Sequence, residues 1–404
     1  KIADLIQLKT LISSGPVPKN LLQDMNDIRK IITNAVSHTS EEIIINDYSP
    51  DMDSYVLFTS GSTGEPKGVP VSRGNLDSFF KAYIHRDLYK FNEEDRFMQF
   101  YDLSFDASIP CFSIPLSVGA CVYTVPQNKI KYLNAIKLAI EHKITFLKMP
   151  PSTLAFLKPY FHSIYLESVN YCILGGEAVS SGLTESWASC VPNALIQNAY
   201  GPTEATVNCL MYDWNAGNFP NRSYEGIVSI GNVFGDNIAV IVNEKNQLLP
   251  AGRKGELCIA GPQVTKGYWG EQMKTENAFF TLKYKGQLMR FYKTGDLVFE
   301  DENGLIMFCG RIDYQIQING YRVELGEIEK YARDFLDQAN AVAIAKETEN
   351  RNTEIFLFTE SSYESEKKLF HYLEQKLPFY MLPKKIINLS IFPKTSGGKI
   401  DRTE

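Results

Sequence analysis

The stretch Thr59-Ser60-Gly61-Ser62-Thr63-Gly64-Glu65-Pro66-Lys67-Gly68 gathers four hydroxyl side chains, three glycines and one lysine into ten residues. Glycines let a backbone come close to a ligand. Hydroxyls donate to phosphate oxygens and a lysine adds a point charge, so the chemistry on offer is phosphate binding. It is not a Walker A loop, which counted from Gly61 would need Gly at 66 and Ser or Thr at 68; Pro66 and Gly68 stand there. A Ser/Gly connector is the bland alternative. A second cluster, Tyr200-Gly201-Pro202-Thr203-Glu204, offers an aromatic plate, a turn, a hydroxyl and a carboxylate. Gly-Pro-Thr-Glu also reads as a helix start with Pro in the first turn, and the two readings are compatible. Lys399 ends Ser396-Gly397-Gly398-Lys399, which local rules call a turn.

Other chemistries find no support. The five histidines (38, 85, 142, 162, 371) form no HExxH and no close pair, which argues against a zinc site. There is no GxSxG elbow and no GxGxxG. With 41 basic and 47 acidic side chains in 404 residues, the net charge of −6 leaves no footprint for nucleic acid. Seven scattered cysteines, never as CxxC, predict reduced thiols and a cytoplasmic setting. The longest charge-free stretch, 107–128, contains Pro110 and Pro115 and reads as buried helix and strand, so no membrane insertion is expected. The start carries no targeting segment and no initiating Met, which points to a piece of something longer.

These residues need elements to hold them. Tyr55–Phe58 is an apolar run expected as a strand that breaks into the glycine loop. Leu76, Phe79, Phe80, Tyr83 and Ile84 then mark one helical face, with Asn75 as candidate N-cap. Strand, glycine loop and helix in succession would place loop amides at a helix N-terminus, where phosphates are favoured. To about residue 225, apolar runs (ACVYTV, ITFLKM, VNYCIL, ALIQNAY) alternate with helical segments such as 130–142 and 181–190, the texture of a parallel sheet with helices on its faces. From about 226 to 310, short β-rich runs with Gly, Asn and Asp turns suggest an antiparallel or barrel-like unit. The remainder reads as a small α+β domain: a helical face at Ile328, Tyr331, Ala332, Phe335 and Leu336, strands AVAIAKE and TEIFLFT, and a helix over 365–377. The expectation is an α/β protein with a large domain over 1–312 and a small one over 313–404. The joint near Asp313 is a hinge candidate or a plain loop.

The string YVLFTSGSTGEPKGV resembles the phosphate-binding signature of the adenylate-forming superfamily, which includes peptide-synthetase adenylation domains, D-alanine–carrier-protein ligases and acyl-CoA synthetases. Seven further segments follow in the family's order: FDAS (105–108), LGGEAVS (174–180), NAYGPTEATV (198–207), GELCIAGPQVTKGYW (255–269), YKTGD (292–296), GRIDYQIQINGYRVELGEIE (310–329) and PKTSGGKIDR (393–402). The resemblance implies ATP and Mg2+ as cofactors, with the nucleotide held by Thr59–Gly64, Lys67, Gly176, Glu177, Ala178, Asn198, Ala199 and Gly201. It implies Tyr200 stacked on adenine with Phe308 near it (or in the core), Thr203 at the α-phosphate and Glu204 on Mg2+. Asp296 would take the ribose hydroxyls and Arg311 the ribose or phosphate. Lys399 would swing in from a mobile C-terminal domain to bridge the carboxylate substrate and the α-phosphate.

The resemblance also implies what is activated. Asp106 of FDAS matches the position that receives an α-ammonium in the amino-acid-activating branches, which disfavours an acyl- or aryl-CoA synthetase. The side-chain pocket would be lined by Pro110, Lys148, Ile173, Gly175, Ala199, Val207 and Asn208. Lys148 could point inward to an acidic or polar side chain, or snorkel away. Gly175 departs from D-alanine ligases, which place a larger residue there, although the 310–329 segment resembles theirs closely. The implied acceptor is the phosphopantetheine thiol of a carrier protein, and no carrier segment follows Lys399 here. Only about fifty residues precede the phosphate loop, fewer than the family usually has, so the N-terminal part is expected to be incomplete. A non-catalytic nucleotide-binding descendant is the alternative from another class; the full set Lys67, Glu204, Asp296, Arg311 and Lys399 argues against it.

Overall fold

The structure, a computed structural model, describes residues 10–13, 29–32, 49–59, 66–84, 86–126, 130–214, 222–313, 315–318, 321–337, 339–347, 353–360, 366–393, 400 and 402. Two compact units are present, Lys1–Ser49 and Pro50–Glu404. In the first, β1 (Thr10–Ser13) pairs in parallel with β2 (Arg29–Ile32).

The second unit opens with β3 (Asp53–Thr59), and here one expectation fails. The glycine loop does not lead into a helix. It leads into β4 (Lys67–Ser72), which pairs antiparallel with β3, Leu57 opposite Val69 and Thr59 opposite Lys67. Val69 and Val71 are β-branched and fully buried, and they favour an extended chain where the loop ends. The helix Arg73–Ile84 follows β4 directly. Its cap is Ser72 rather than Asn75: the Asn75 N–H donates to Ser72 Oγ, and Asn75 Oδ1 accepts from the Ser72 N–H, both at 3.1 Å. This reciprocal pair satisfies the helix start. Phe79 and Tyr83 face inward, whereas Ile84 is exposed.

Strands β5 (Arg96–Gln99), β6 (Cys121–Thr124), β7 (Phe146–Met149), β8 (Tyr171–Gly175) and β9 (Leu195–Tyr200) are parallel, as the alternating texture predicts. An edge is added antiparallel by β10 (Leu210–Trp214). After a small hairpin of β11 (Ser223–Tyr224) and β12 (Ile227–Val228), β13 (Asn232–Val233) completes the order β13-β10-β9-β8-β7-β5-β6. Alternate side chains serve opposite faces. Leu147, Met149, Cys172 and Leu174 pack with helices Lys131–Glu141, Ser152–Leu157 and Ser181–Ala188. Phe146, Ile173 and Ala199 pack with Arg73–Ile84 and Ile109–Val118.

The β-rich region is an antiparallel sheet of β14 (Ile238–Val242), β15 (Gly255–Ala260), β16 (Phe279–Tyr284), β17 (Gln287–Glu300) and β18 (Ile306–Arg311). The C-terminal region begins with a hairpin, β19 (Gln315–Ile318) and β20 (Tyr321–Glu324). Helices Leu325–Phe335 and Glu366–Lys376 then pack on β21 (Ala341–Glu347), β22 (Thr353–Thr359) and β23 (Lys385–Asn388) around a core of its own. No described helix is long and apolar enough to cross a membrane. Ile328 is fully buried in that C-terminal core while Ile391 is 68% exposed. Ile328→Ala is therefore expected to cost about 2–5 kcal/mol in urea unfolding, and Ile391→Ala no more than about 0.5 kcal/mol.

Candidate active site

A cavity of about 740 Å³ lies where the C-terminal ends of β7, β8 and β9 meet β17, β18 and the β19–β20 hairpin. Crevices at the carboxyl ends of parallel strands are where open α/β sheets bind ligands. Of the residues expected from sequence, Thr59, Asp106, Lys148, Gly175, Gly176, Glu177, Ala178, Asn198, Ala199, Tyr200, Gly201, Thr203, Val207, Asn208, Asp296, Phe308 and Arg311 all line it. Pro110 and Ile173 are buried and do not line it; Ile173 serves the core behind. Phe308 does both, facing the cavity and packing on the Ile230, Leu257 and Val298 cluster. Ser60, Gly61, Ser62, Thr63, Gly64 and Lys399 lie outside the described residues.

Asp296 and Arg311 are cross-strand partners on β17 and β18. Arg311 Nη1 donates to Asp296 Oδ1 at 2.7 Å, and its Nε and Nη2 both donate to Asp313 at 2.7 Å. The Tyr200 hydroxyl donates to Asp296 Oδ2. Burial pushes the Asp296 carboxyl above the usual carboxylate range, against the pull of Arg311. Gly295 between them has φ +74°, and a Cβ there would meet Arg311 Nη2 at 2.4 Å. Only glycine fits both the backbone and the guanidinium.

Glu204 does not line the cavity wall and has no exposed surface. Its Oε1 accepts from the Tyr268 hydroxyl at 2.8 Å and lies 3.2 Å from Lys67 Nζ, while Oε2 accepts from Arg322 Nη1 at 3.1 Å. Burial alone would favour the neutral acid, but Arg322 and Lys67 outweigh it and hold the carboxyl well below its ordinary range. The residues that follow are strained: Thr206 and Val207, both β-branched, have φ of +55° and +66°. Gln263 braces them, its Nε2 donating to the carbonyls of Thr206 at 3.2 Å and Asn208 at 2.8 Å.

Asp106 and Lys148 line the same cavity. Asp106 Oδ2 and Lys148 Nζ are buried without a hydrogen-bond partner, and so is Thr59 Oγ1. Lys148 is 1% exposed, so it points inward and does not snorkel. Gly175 cannot carry a side chain, because a Cβ would come within 2.4 Å of the Ala199 carbonyl oxygen. Glu177 accepts the Ser152 N–H at 2.8 Å, and Asn198 Nδ2 donates to the Ser229 carbonyl at 2.9 Å, so both also brace the wall. Sequence reasoning did not single out Tyr268, Arg322 or Gln263. All three lie inside the motif segments 255–269 and 310–329, and a tyrosine and an arginine within those strings were the available signal.

Burial chiefly pushes the Asp106 carboxyl up to about 6, against hydrogen bonding from Thr203 and the charge of Lys148. A carboxyl raised from 3.8 binds its proton more tightly folded than unfolded, so stability falls as pH rises from about 4 to 6. Asp106→Asn should remove that loss: thermal melts of the variant and parent should differ at pH 7 in the variant's favour and converge below pH 4. Arg322→Met, which leaves Glu204 buried with one cation fewer, is expected to destabilise by about 3–5 kcal/mol in denaturant unfolding.

The AMP-binding enzyme family matches residues 4–269. Tyrocidine synthase 1 of Brevibacillus parabrevis is 35% identical over 355 residues, covering 86% of this chain and 31% of that protein. Delta-poly-L-ornithine synthetase of Acinetobacter baumannii is 31% identical over 373 residues, covering 90% of this chain and 26% of that protein. The chain thus spans less than a third of either relative. Among solved structures, the Vibrio cholerae adenylation domain AlmE in complex with glycyl-adenosine-5'-phosphate superposes with TM-score 0.81 at 26% identity, covering 99% of this chain and 76% of that one. An NRPS protein containing adenylation and PCP domains, bound to a vinylsulfonamide inhibitor, gives TM-score 0.83 at 21% identity over 100% of this chain and 67% of that one, which speaks to the fold. With two thirds of its length under that family and the adenylate-forming fold around its cavity, the chain belongs to the AMP-binding enzyme family of AMP-forming ligases.

Proposed function

We propose that the chain activates an amino acid with ATP and passes it to the phosphopantetheine thiol of a carrier protein. The observation that carries this reading is that Asp106, Thr203, Tyr200 and the Asp296–Arg311 pair all line one cavity, with Thr203 hydrogen-bonded to Asp106. A carboxylate oxygen of the amino acid attacks the α-phosphorus, the bond to the β-phosphate bridge breaks, and pyrophosphate leaves. Asp106 holds the α-ammonium, an opposite charge that its buried oxygen requires. Tyr200 and Phe308 flank adenine, Asp296 and Arg311 hold the ribose, and Thr203 orients the α-phosphate. Lys399, carried into the site by rotation near Asp313, opposes the negative charge that develops there.

In the second step the thiol sulfur bonds the acyl carbon, the acyl–phosphate bond breaks, and AMP leaves with the proton passing to phosphate or solvent. Positioning is the main requirement. The β19–β20 hairpin is suited to it. Tyr321 packs edge-on against Phe105 at 4.5 Å and donates to Asp102 at 2.9 Å, so the hairpin sits against the amino-acid end. Mg2+ would accompany the ATP phosphates. Glu204 as arranged here does not suit it, because both carboxylate oxygens already serve Lys67, Tyr268 and Arg322. Mg2+ beside Glu204 requires Arg322 to have withdrawn. A cytoplasmic setting fits a protein that consumes ATP and serves a free thiol.

The test is ATP–pyrophosphate exchange across D- and L-amino acids and amine-free carboxylic acids. Exchange should require an amino acid, and Asp106→Ala should lower kcat/KM for it by at least about 100-fold. Lys399→Ala should lower kcat by at least about 100-fold with the fold intact. Asp296→Ala should raise KM for ATP while leaving the preference among amino acids unchanged. Exchange with amine-free acids alone would make the chain an acyl-CoA-type synthetase instead.

A further inference from the structure

We propose that the amino acid taken by this site carries a second acidic group, on its side chain, and that Lys148 receives it. The inference rests on the adenylation reading and adds the substrate class. Lys148 lies on β7 on the face shared with Phe146 and Ile173, neither of which offers a charge. Its ammonium is buried, faces the cavity and has no hydrogen-bond partner. An unpaired buried cation is costly, and proteins pair such groups or lose them.

Among the described residues none hydrogen-bonds to the Lys148 ammonium. Asp106 shares the cavity and its charge attracts that of Lys148, yet no hydrogen bond joins them and Asp106 Oδ2 is also buried without a partner. Cys111 is the other nearby acidic group; burial pushes its thiol up to about 11, which keeps it neutral. Asp106 is also the group that the α-ammonium needs. The anion must then come with the ligand.

The reacting carboxylate is not that anion. Lys148 is in register with Ile173, two residues below Gly175 on β8, whereas Gly175 is in register with Ala199, next to Tyr200 at the nucleotide end. Two residues of strand amount to roughly 6–7 Å of depth. A group reaching Lys148 therefore points away from the α-phosphate, as a side chain would. Gly175 keeps the way to it open, since no side chain fits there. An α-amino dicarboxylic acid gives Asp106 Oδ2 and the Lys148 ammonium a partner at once and leaves its α-carboxylate for ATP.

The test uses the full chain, wild type and Lys148→Met, in exchange assays with aspartate, glutamate and α-aminoadipate, with asparagine and glutamine as their neutral isosteres, and with alanine. Wild type should favour one dicarboxylic acid over its amide or over alanine by at least about 100-fold in kcat/KM. Lys148→Met should erase that preference, losing at least about 100-fold on the acid and only a few-fold on the neutral amino acids. The variant should melt no lower than the parent, because it removes an unpaired buried charge; a melt far below it would mean that Lys148 is paired, against the proposal. A neutral amino acid as best substrate, with Lys148→Met indifferent, overturns this inference and leaves the adenylation reading standing. Silence of folded wild type with every amino acid overturns both.

Discussion

A carboxylate with no exposed surface stays ionised only where cations are brought to it, and Glu204 draws them from distant parts of the chain. Lys67 arrives on β4, directly after the glycine loop. Arg322 arrives on β20, 118 residues downstream, and the Tyr268 hydroxyl comes from the turn after β15. The tie joins the phosphate-loop hairpin, the end of the parallel sheet and the C-terminal hairpin at one carboxylate. It also anchors the turn at Thr203–Ala205, beyond which Thr206 and Val207 hold left-handed conformations. β-branched residues adopt these only when their surroundings over-determine them, and Gln263 supplies part of that. The strain is thus stored beside Thr203 and the pocket wall.

The same logic organises the second ion pair. Asp296 is buried at the cavity edge, and its oxygens are shared between Arg311 on the neighbouring strand and Tyr200 at the end of β9. Arg311 also grips Asp313, so the departure of the chain toward the C-terminal region starts from a residue already bound to the site. Movement near Asp313 and changes at Asp296 would be felt together. The amino-acid end is built differently. There Asp106 Oδ2 and the Lys148 ammonium are buried without a hydrogen-bond partner, which makes the site costly without a ligand and selective for one that completes it.

Much of this was legible in the residues. Strong alternation and helical faces located β6 to β9 and the helices at 131–141, 181–188 and 325–335, because period alone separates a strand from a helix when one face is buried. The misreadings were local. β4 was missed since six residues with a proline carry too little period to stand out, and the cap went to Asn75 because the reciprocal partner Ser72 lies where that strand was not foreseen. The family resemblance, not the local pattern, put Tyr200–Glu204 and Asp106 in one expected site. The structure brings Tyr200, Thr203 and Asp106 to one cavity and leaves Glu204 off its wall.

What the sequence determined by itself was the inventory: the phosphate-loop residues, the carboxylates, the order of the motifs and the alternating texture of the α/β region. These follow from short-range spacing, which the chain carries wherever it goes. Only the tertiary structure decided which charges are matched. Whether Lys148 snorkels or turns inward, and whether Glu204 is open or held by Arg322, depends on burial and on partners more than a hundred residues away. Electrostatic energy is set by distance and desolvation rather than by sequence separation, so those answers exist only once the sheet and the C-terminal hairpin have closed around the cavity.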